Sequence, residues 1–266
     1  MAIRNIRTLQ RRKEKKRFLY LIIPPLVAVA LCIASLFLMK QLLPVTEISF
    51  IGNRHLKNEE LSNLIRISKN SELFGVSGRN IYMRLKQSPW IKDAVVRKEL
   101  SGRVLVRVTE RVPVALLILA DRPFLIDNEG NVLEQMKEGA ILLLPVIKDI
   151  DPVRNRETYG EAVRLAGVLH DRRVVSYQGD VEISGQRPED IMLKIDKIVI
   201  KVGKGDFEKK LERLEFVRDE IQKRNMTVEY IDLRFANKII VKPAQQENLG
   251  NATIETVHYN GKKKKN

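Results

Sequence analysis

SPWIKDAVVRKELSGRVLVRVTERVPVA, residues 88–115, is the stretch on which the fold turns. Ser88-Pro89 ends whatever helix precedes it, because a proline disfavours helical backbone in the residue before it. Two strand-like runs follow, Ile91 to Leu100 and Arg103 to Val108, joined at Ser101-Gly102 as a tight hairpin. In the second run Val104, Val106 and Val108 point one way and Arg103, Arg107 and Thr109 the other, the period-two signature of a half-buried strand. Pro113 has no N–H to give to a ladder, so it stops the strand and marks a joint.

Upstream, VTEISFIGN (45–53) alternates Ile48 and Phe50 with Glu47 and Ser49 and closes on a Gly52-Asn53 turn. A helix then begins with Asn58 as N-cap. Glu59 and Glu60 suit the positive end of its dipole, and Leu61, Leu64 and Ile65 share one face. Ser71 to Gly78 reads as a loop and Ile81 to Gln87 as a second short helix. The order strand, helix, helix, strand, strand predicts a small α+β layer with both helices on one face of a three-stranded sheet.

Further out lies FLYLIIPPLVAVALCIASLFLM, Phe18 to Met39, without a charged residue. As a helix it would be roughly 33 Å long, close to the ~30 Å hydrocarbon thickness of a bilayer. The run is longer than a signal-peptide core, and Lys40-Gln41-Leu42-Leu43-Pro44 is no small-x-small cleavage site, so it reads as an uncleaved anchor. Eight basic residues and a single acid, Glu14, precede it, while the residues beyond it are mixed in sign. Positive charge stays inside, which places the N-terminus in the cytoplasm and the bulk of the chain outside it. The formal charge of +15 is concentrated in this segment and in Lys262 to Lys265, which argues against a nucleic-acid binder. Cys32, the only cysteine, lies inside the apolar run, so the exported part can hold no disulfide.

Downstream of Pro113, Phe124 to Leu133 reads as two short strands about an Asn/Gly turn, and Tyr159 to His170 as a helix burying Ala162, Leu165, Ala166 and Leu169. Ile191–Ile195 and Ile198–Val202 form a hairpin turning at Asp196-Lys197. After Gly203-Lys204-Gly205, Asp206 caps a long amphipathic helix through Phe207, Leu211, Leu214, Val217 and Ile221. Val228 to Phe235 and Lys238 to Pro243 are the last strands expected, and the polar stretch Ala244 to Asn266 is expected to be disordered.

The segment around Pro89-Trp90 and the run Val108-Thr109-Glu110-Arg111-Val112-Pro113-Val114-Ala115 resemble the "PW" and "V.ERxPVA" pattern of the FtsQ/DivIB family of bacterial cell-division proteins. Leu125-Ile126-Asp127 with Gly130, Leu144-Pro145, Arg213-Leu214 and Asp232-Leu233-Arg234-Phe235 resemble that family's "LID..G", "LP", "RL" and "DLRY" elements. The resemblance implies an α+β chain. It comprises a basic cytoplasmic segment (1–17), a single transmembrane helix (18–43), a POTRA domain (44–112), a mixed α/β domain with a mainly antiparallel sheet (113–243) and a basic tail (244–266). It also implies a non-enzymatic scaffold in the bacterial inner membrane at the division septum. Such a scaffold binds FtsB/DivIC-like and FtsL-like partners through its C-terminal strand and other division proteins through the POTRA domain. Neither nucleic acid nor a small-molecule substrate would be bound. A membrane-anchored cell-wall enzyme or peptidoglycan-binding protein is the alternative.

No catalytic, cofactor or metal constellation is legible. His55, His170 and His258 have no ligand-like spacing. Gly75-Val76-Ser77-Gly78 misses the nucleophile-elbow pattern, and Gly203-Lys204-Gly205 lacks the rest of a phosphate loop. Trp90 reads as a core aromatic. Binding would instead fall on the last strand. Lys238, Lys242 and Pro243 either blunt an exposed edge or frame a docking strand centred on Ile239-Ile240-Val241, to which a partner strand adds. The family resemblance favours docking. It places Arg234 at the motif arginine, Phe235 where relatives carry an interface tyrosine, and Asn237 and Lys238 near a turn that is often Ser-Gly. Pro243 stands near a tryptophan found in some relatives.

Overall fold

The computed structural model describes residues 23–35, 43–68, 70–137, 143–172, 181–244 and 255–258. Residues 23–35 form helix α1, with Leu26 and Leu31 about two-thirds exposed. Among the described residues no helix is long and apolar enough to cross a membrane. The rest of the span expected over 18–43 lies mostly outside the described residues, as does the basic segment 1–17. The chain divides into two compact units, residues 1–110 and 111–266.

In the first unit β1 (Glu47–Ile51), α2 (Asn58–Ile65), α3 (Gly78–Leu85), β2 (Ile91–Lys98) and β3 (Arg103–Glu110) follow in the expected order. The sheet order is β1-β3-β2, with β2 antiparallel to β3 and β1 parallel to it, as a helical crossover requires. Val104, Val106 and Val108 are buried against Leu61, Ile65, Ile81 and Leu85, whereas Arg103 and Arg107 are exposed. The helix starts differ from the sequence reading. Lys57, not Asn58, is the N-cap of α2, with its N–H donated to Glu60, while Asn58 accepts a bond from the Asn53 amide. Helix α3 begins at Gly78 because the Ser77 hydroxyl accepts the Asn80 N–H at 3.3 Å. Trp90 is buried and stacks on His55, with ring centroids 3.6 Å apart. Glu110 accepts the N–H groups of Arg54, His55 and Leu56 at 3.0, 2.7 and 3.0 Å, tying the end of β3 to the loop before α2.

The second unit contains β4 (Pro113–Leu119), β5 (Arg122–Asp127), β6 (Val132–Gln135), β7 (Val146–Ile147), α4 (Arg156–Asp171), β8 (Val181–Ser184), β9 (Met192–Ile195), β10 (Ile198–Lys201), α5 (Phe207–Lys223), β11 (Val228–Asp232), β12 (Lys238–Pro243) and β13 (Glu255–His258). Among the described residues its strands make one sheet in the order β13-β12-β11-β10-β9-β8-β7-β4-β5-β6. Pairs β4–β7, β7–β8 and β10–β11 are parallel and the other neighbours antiparallel. The core gathers the inward row of the strands, such as Leu117, Ile183, Leu193, Ile231 and Ile239, with Leu165 and Leu169 of α4 and Leu211 and Val217 of α5.

Arg111, the first residue of this unit, reaches the buried Asp127 carboxylate and also Glu129 at 2.9 Å. Asp127 further accepts the N–H groups of Glu129 and Asn131 at 2.9 and 2.8 Å. This closes the β5–β6 turn as an Asx motif. Gly130 sits there at φ +80°, and a Cβ on it would lie 2.9 Å from the Tyr159 ring. The Tyr159 hydroxyl donates to the Gly130 carbonyl at 2.8 Å, and burial, with the nearby Asp127 charge, pushes its pKa up to about 12.

Two expectations are corrected. The tail from Ala244 is not structureless throughout, because Glu255–His258 forms β13. Lys238–Pro243 is consequently not the edge strand: β12 pairs with β11 on one side and with β13 on the other.

Candidate partner-docking surface

The surface is built by the passage from β11 to β12. β11 turns Val228 and Ile231 toward the core and Tyr230 toward the open side, the alternation being reset by a bulge between Val228 and Tyr230, and it runs parallel to β10 and antiparallel to β12. Cross-strand partners Tyr230↔Lys242 and Asp232↔Ile240 therefore lie on the open face, while Ile231↔Val241 lies on the core face. The Tyr230 ring has the Lys201 ammonium 4.5 Å and the Lys242 ammonium 5.7 Å from its centroid. Lys242 also pairs with Glu229 at 2.6 Å.

At the end of β11 the buried Asp232 takes the Arg234 backbone N–H at 3.0 Å, its Nε at 3.0 Å and its Nη2 at 2.8 Å. Burial pushes the Asp232 carboxyl pKa up. The bonds from Arg234 and the charges of Arg234 and Lys201 outweigh this and hold it below the ordinary aspartate range. Arg234 is correspondingly raised, first through its bond to Asp232. Its side chain lies across Gly203, where φ is +64° and a Cβ would meet the Arg234 Cγ at 3.1 Å. The Gly203-Lys204-Gly205 turn is thus a seat for this arginine. Gly205 donates its N–H to Glu161, and Lys204 pairs with Glu189 at 2.7 Å.

After the buried Leu233, the five residues Arg234, Phe235, Ala236, Asn237 and Lys238 are all exposed. The Lys238 ammonium lies 4.9 Å above the Phe235 ring. From below, buried Arg213 of α5 donates to the Lys238 carbonyl at 2.8 Å, fixing where β12 begins. The result is a short ledge of one aromatic ring and two cations, held at one end by the Asp232 carboxylate and at the other by Arg213.

The residues proposed from sequence divide into two groups. Arg234, Phe235, Asn237 and Lys238 form the ledge, and Ile240 is half-exposed on the open face beside it. Ile239 and Val241 are in the core at 0% and 2% exposure, and β12 is flanked by β11 and β13, so their side chains cannot reach a partner. Tyr230, Lys201, Asp232 and Arg213 were not singled out. Asp232 and Arg213 stood inside motifs already recognised, but the contacts that give them their roles join residues distant in the chain. Elsewhere, polar side chains of the chain make structural contacts. Ser77 caps α3, Glu182 pairs with Lys148 at 2.8 Å, and Asp190 pairs with Arg187 at 2.8 Å. Among the described residues no group of acidic, histidine or cysteine side chains could hold a metal ion.

Residues 43–111 match the family described as POTRA domain, FtsQ-type, and residues 118–234 match Cell division protein FtsQ/DivIB, C-terminal. The second match ends at Arg234, the first residue of the ledge. A cell division protein FtsQ of Geotalea daltonii is 30% identical over 196 residues, covering 70% of this chain and 71% of that protein. The FtsQ of Syntrophotalea carbinolica is 28% identical over 225 residues, 81% of this chain and 79% of its own. That of Rhodothermus marinus is 28% identical over 270 residues, 91% and 94% respectively.

Proposed function

We infer, from the premise that the chain belongs to the FtsQ/DivIB family of cell division proteins, that it is a bitopic membrane scaffold of the bacterial division machinery rather than an enzyme. Its apolar N-terminal run anchors it in the inner membrane at the septum, with the N-terminus cytoplasmic. Its C-terminal unit binds FtsB/DivIC-like and FtsL-like partners, and its POTRA unit contributes contacts with other division proteins. The observation that carries the docking assignment is the ledge Arg234 to Lys238. It is an exposed aromatic and cationic surface anchored from within by Asp232 and Arg213, next to a strand whose outer neighbour is only the four-residue β13.

Magnitudes favour a membrane-confined partner. A short added strand gains about four backbone hydrogen bonds worth roughly 0.5–1.5 kcal/mol each, while association costs about 4–15 kcal/mol. Strand pairing is therefore weak alone. Ledge contacts and the high effective concentration of two proteins held in one bilayer supply the remainder.

The test is capture of a co-expressed FtsB/DivIC-type protein from detergent by the full chain. Phe235→Glu and Ile240→Lys both change side chains outside the core, so each is expected to leave circular dichroism unchanged and to lower capture by about tenfold or more, the scale of an interface anchor. Normal capture by both variants would sink the docking assignment.

A further inference from the structure

The strand proposed to receive a partner already has an occupant. β12 is paired through Ile231↔Val241 and Asp232↔Ile240 on one side and through Ile239↔Val257 and Ile240↔Thr256 on the other. With β13 in place its backbone offers no open row of donors and acceptors. β13 itself is only four residues long, Glu255-Thr256-Val257-His258, and starts on a charge. A short, charged final strand is how sheets end without recruiting another chain. So short a ladder is weak, and it persists because residues 245–254 tether it at an effective concentration on the order of millimolar.

We propose that β13 is an intramolecular stand-in for a partner strand, occupying the slot beside β12, and that a partner pairing with β12 must displace it. The inference rests on the docking reading given above. Pairing between β12 and β13 starts at Lys238↔His258, so Arg234 to Asn237 stay exposed while the slot is filled. A partner can thus engage the ledge first and exchange strands afterwards. Its apparent affinity is divided by the fraction of molecules whose slot is open, so the tail sets how readily the complex forms.

The cross-strand pair Ile240↔Thr256 provides the test. In the full chain, with Cys32→Ser removing the only native thiol, Ile240→Cys with Thr256→Cys should form a disulfide under mild oxidant. The locked protein should capture the co-expressed FtsB/DivIC-type protein about tenfold less than the same protein after reduction. Conversely, adjacent residues of a strand turn their N–H groups to opposite sides, so one of Thr256→Pro and Val257→Pro deletes a ladder N–H donated to β12; that variant should raise capture by roughly tenfold, the reciprocal of a small open fraction. Failure of the cysteines to cross-link overturns the proposal. So does equal capture by locked and reduced forms, which would seat the partner on the outer side of β13 or away from this edge. If Phe235→Glu still abolishes capture in those cases, the docking reading survives and only the stand-in strand is lost. Capture by none of the forms, proline variants included, sinks both.

Discussion

Asp127 at the end of β5 and Asp232 at the end of β11 are both buried, and both accept a backbone N–H from two residues further on and a guanidinium. They differ in where the guanidinium comes from and where it ends up. Arg111 arrives from sixteen residues upstream and is 14% exposed, enclosed with its carboxylate. Arg234 is local to its aspartate and 38% exposed, with Asp190 at 3.8 Å as a further neighbour. The same pairing holds a domain entrance shut in one place and presents a cation at the surface in the other. Burial of the arginine, not the presence of the ion pair, separates the enclosed motif from the one that presents its cation at the surface.

The comparison breaks most visibly at Asp127. Asp127→Ala strands the enclosed Arg111 without its main carboxylate and leaves the Glu129 and Asn131 N–H groups without their acceptor. The expected loss is about 3–5 kcal/mol, read as a fall in the urea midpoint followed by circular dichroism. Arg234→Leu leaves the buried Asp232 carboxylate its backbone donor and the nearby Lys201 charge, and removes a guanidinium that is itself 38% exposed, so the expected cost is smaller, about 1–3 kcal/mol, although partner capture should fall clearly. A stability loss at Arg234 as large as at Asp127 would erase the distinction.

Acid gives the finest separation. For Asp127, burial pushes the pKa up, but the Asn131 amide and N–H, Arg111 and the Glu129 N–H together bring it below the ordinary range. Asp232 is lowered in the same direction. A carboxylate with a depressed folded pKa adds stability above its unfolded value of about 3.9, and that stability is lost as pH falls through the folded value. The stability gap between the wild-type chain and Asp127→Asn should therefore be constant near neutrality and shrink below about pH 4. A gap that persists unchanged to pH 2 would show that Asp127 acts through shape rather than charge.

Local pattern made much of this fold legible. β12 was read to the residue, because the apolar run Ile239 to Val241 is bounded by lysines and ends on proline. The Asp196-Lys197 turn was visible as polar residues between two apolar runs, and Asp196 indeed adopts φ +53°. What escaped notice depends on distant partners. β7 is two residues long and β8 four, too short to carry a period, and the parallel pairing of β7 with β4 and with β8 is set by the connections around them. β13 lies in a polar stretch and is a strand only because β12 lies beside it. At the candidate site the exposed residues could be named, yet reading Ile239-Ile240-Val241 as one apolar centre ignored the alternation that sends Ile239 and Val241 inward. Glu110 and Arg111 were recognised as a motif without their purpose. Their partners, the Arg54 to Leu56 backbone and the Asp127 carboxylate, lie on opposite sides of them in the sequence.

Trp90 is the chain's single tryptophan, buried in the first unit and stacked on His55. The second unit, which carries both aspartate motifs and the ledge Arg234 to Lys238, has no indole of its own. The protein thus contains an optical label on one half and none on the other: a melt followed at the tryptophan emission reports the POTRA unit alone, and subtracting it from a melt followed by circular dichroism isolates the second unit.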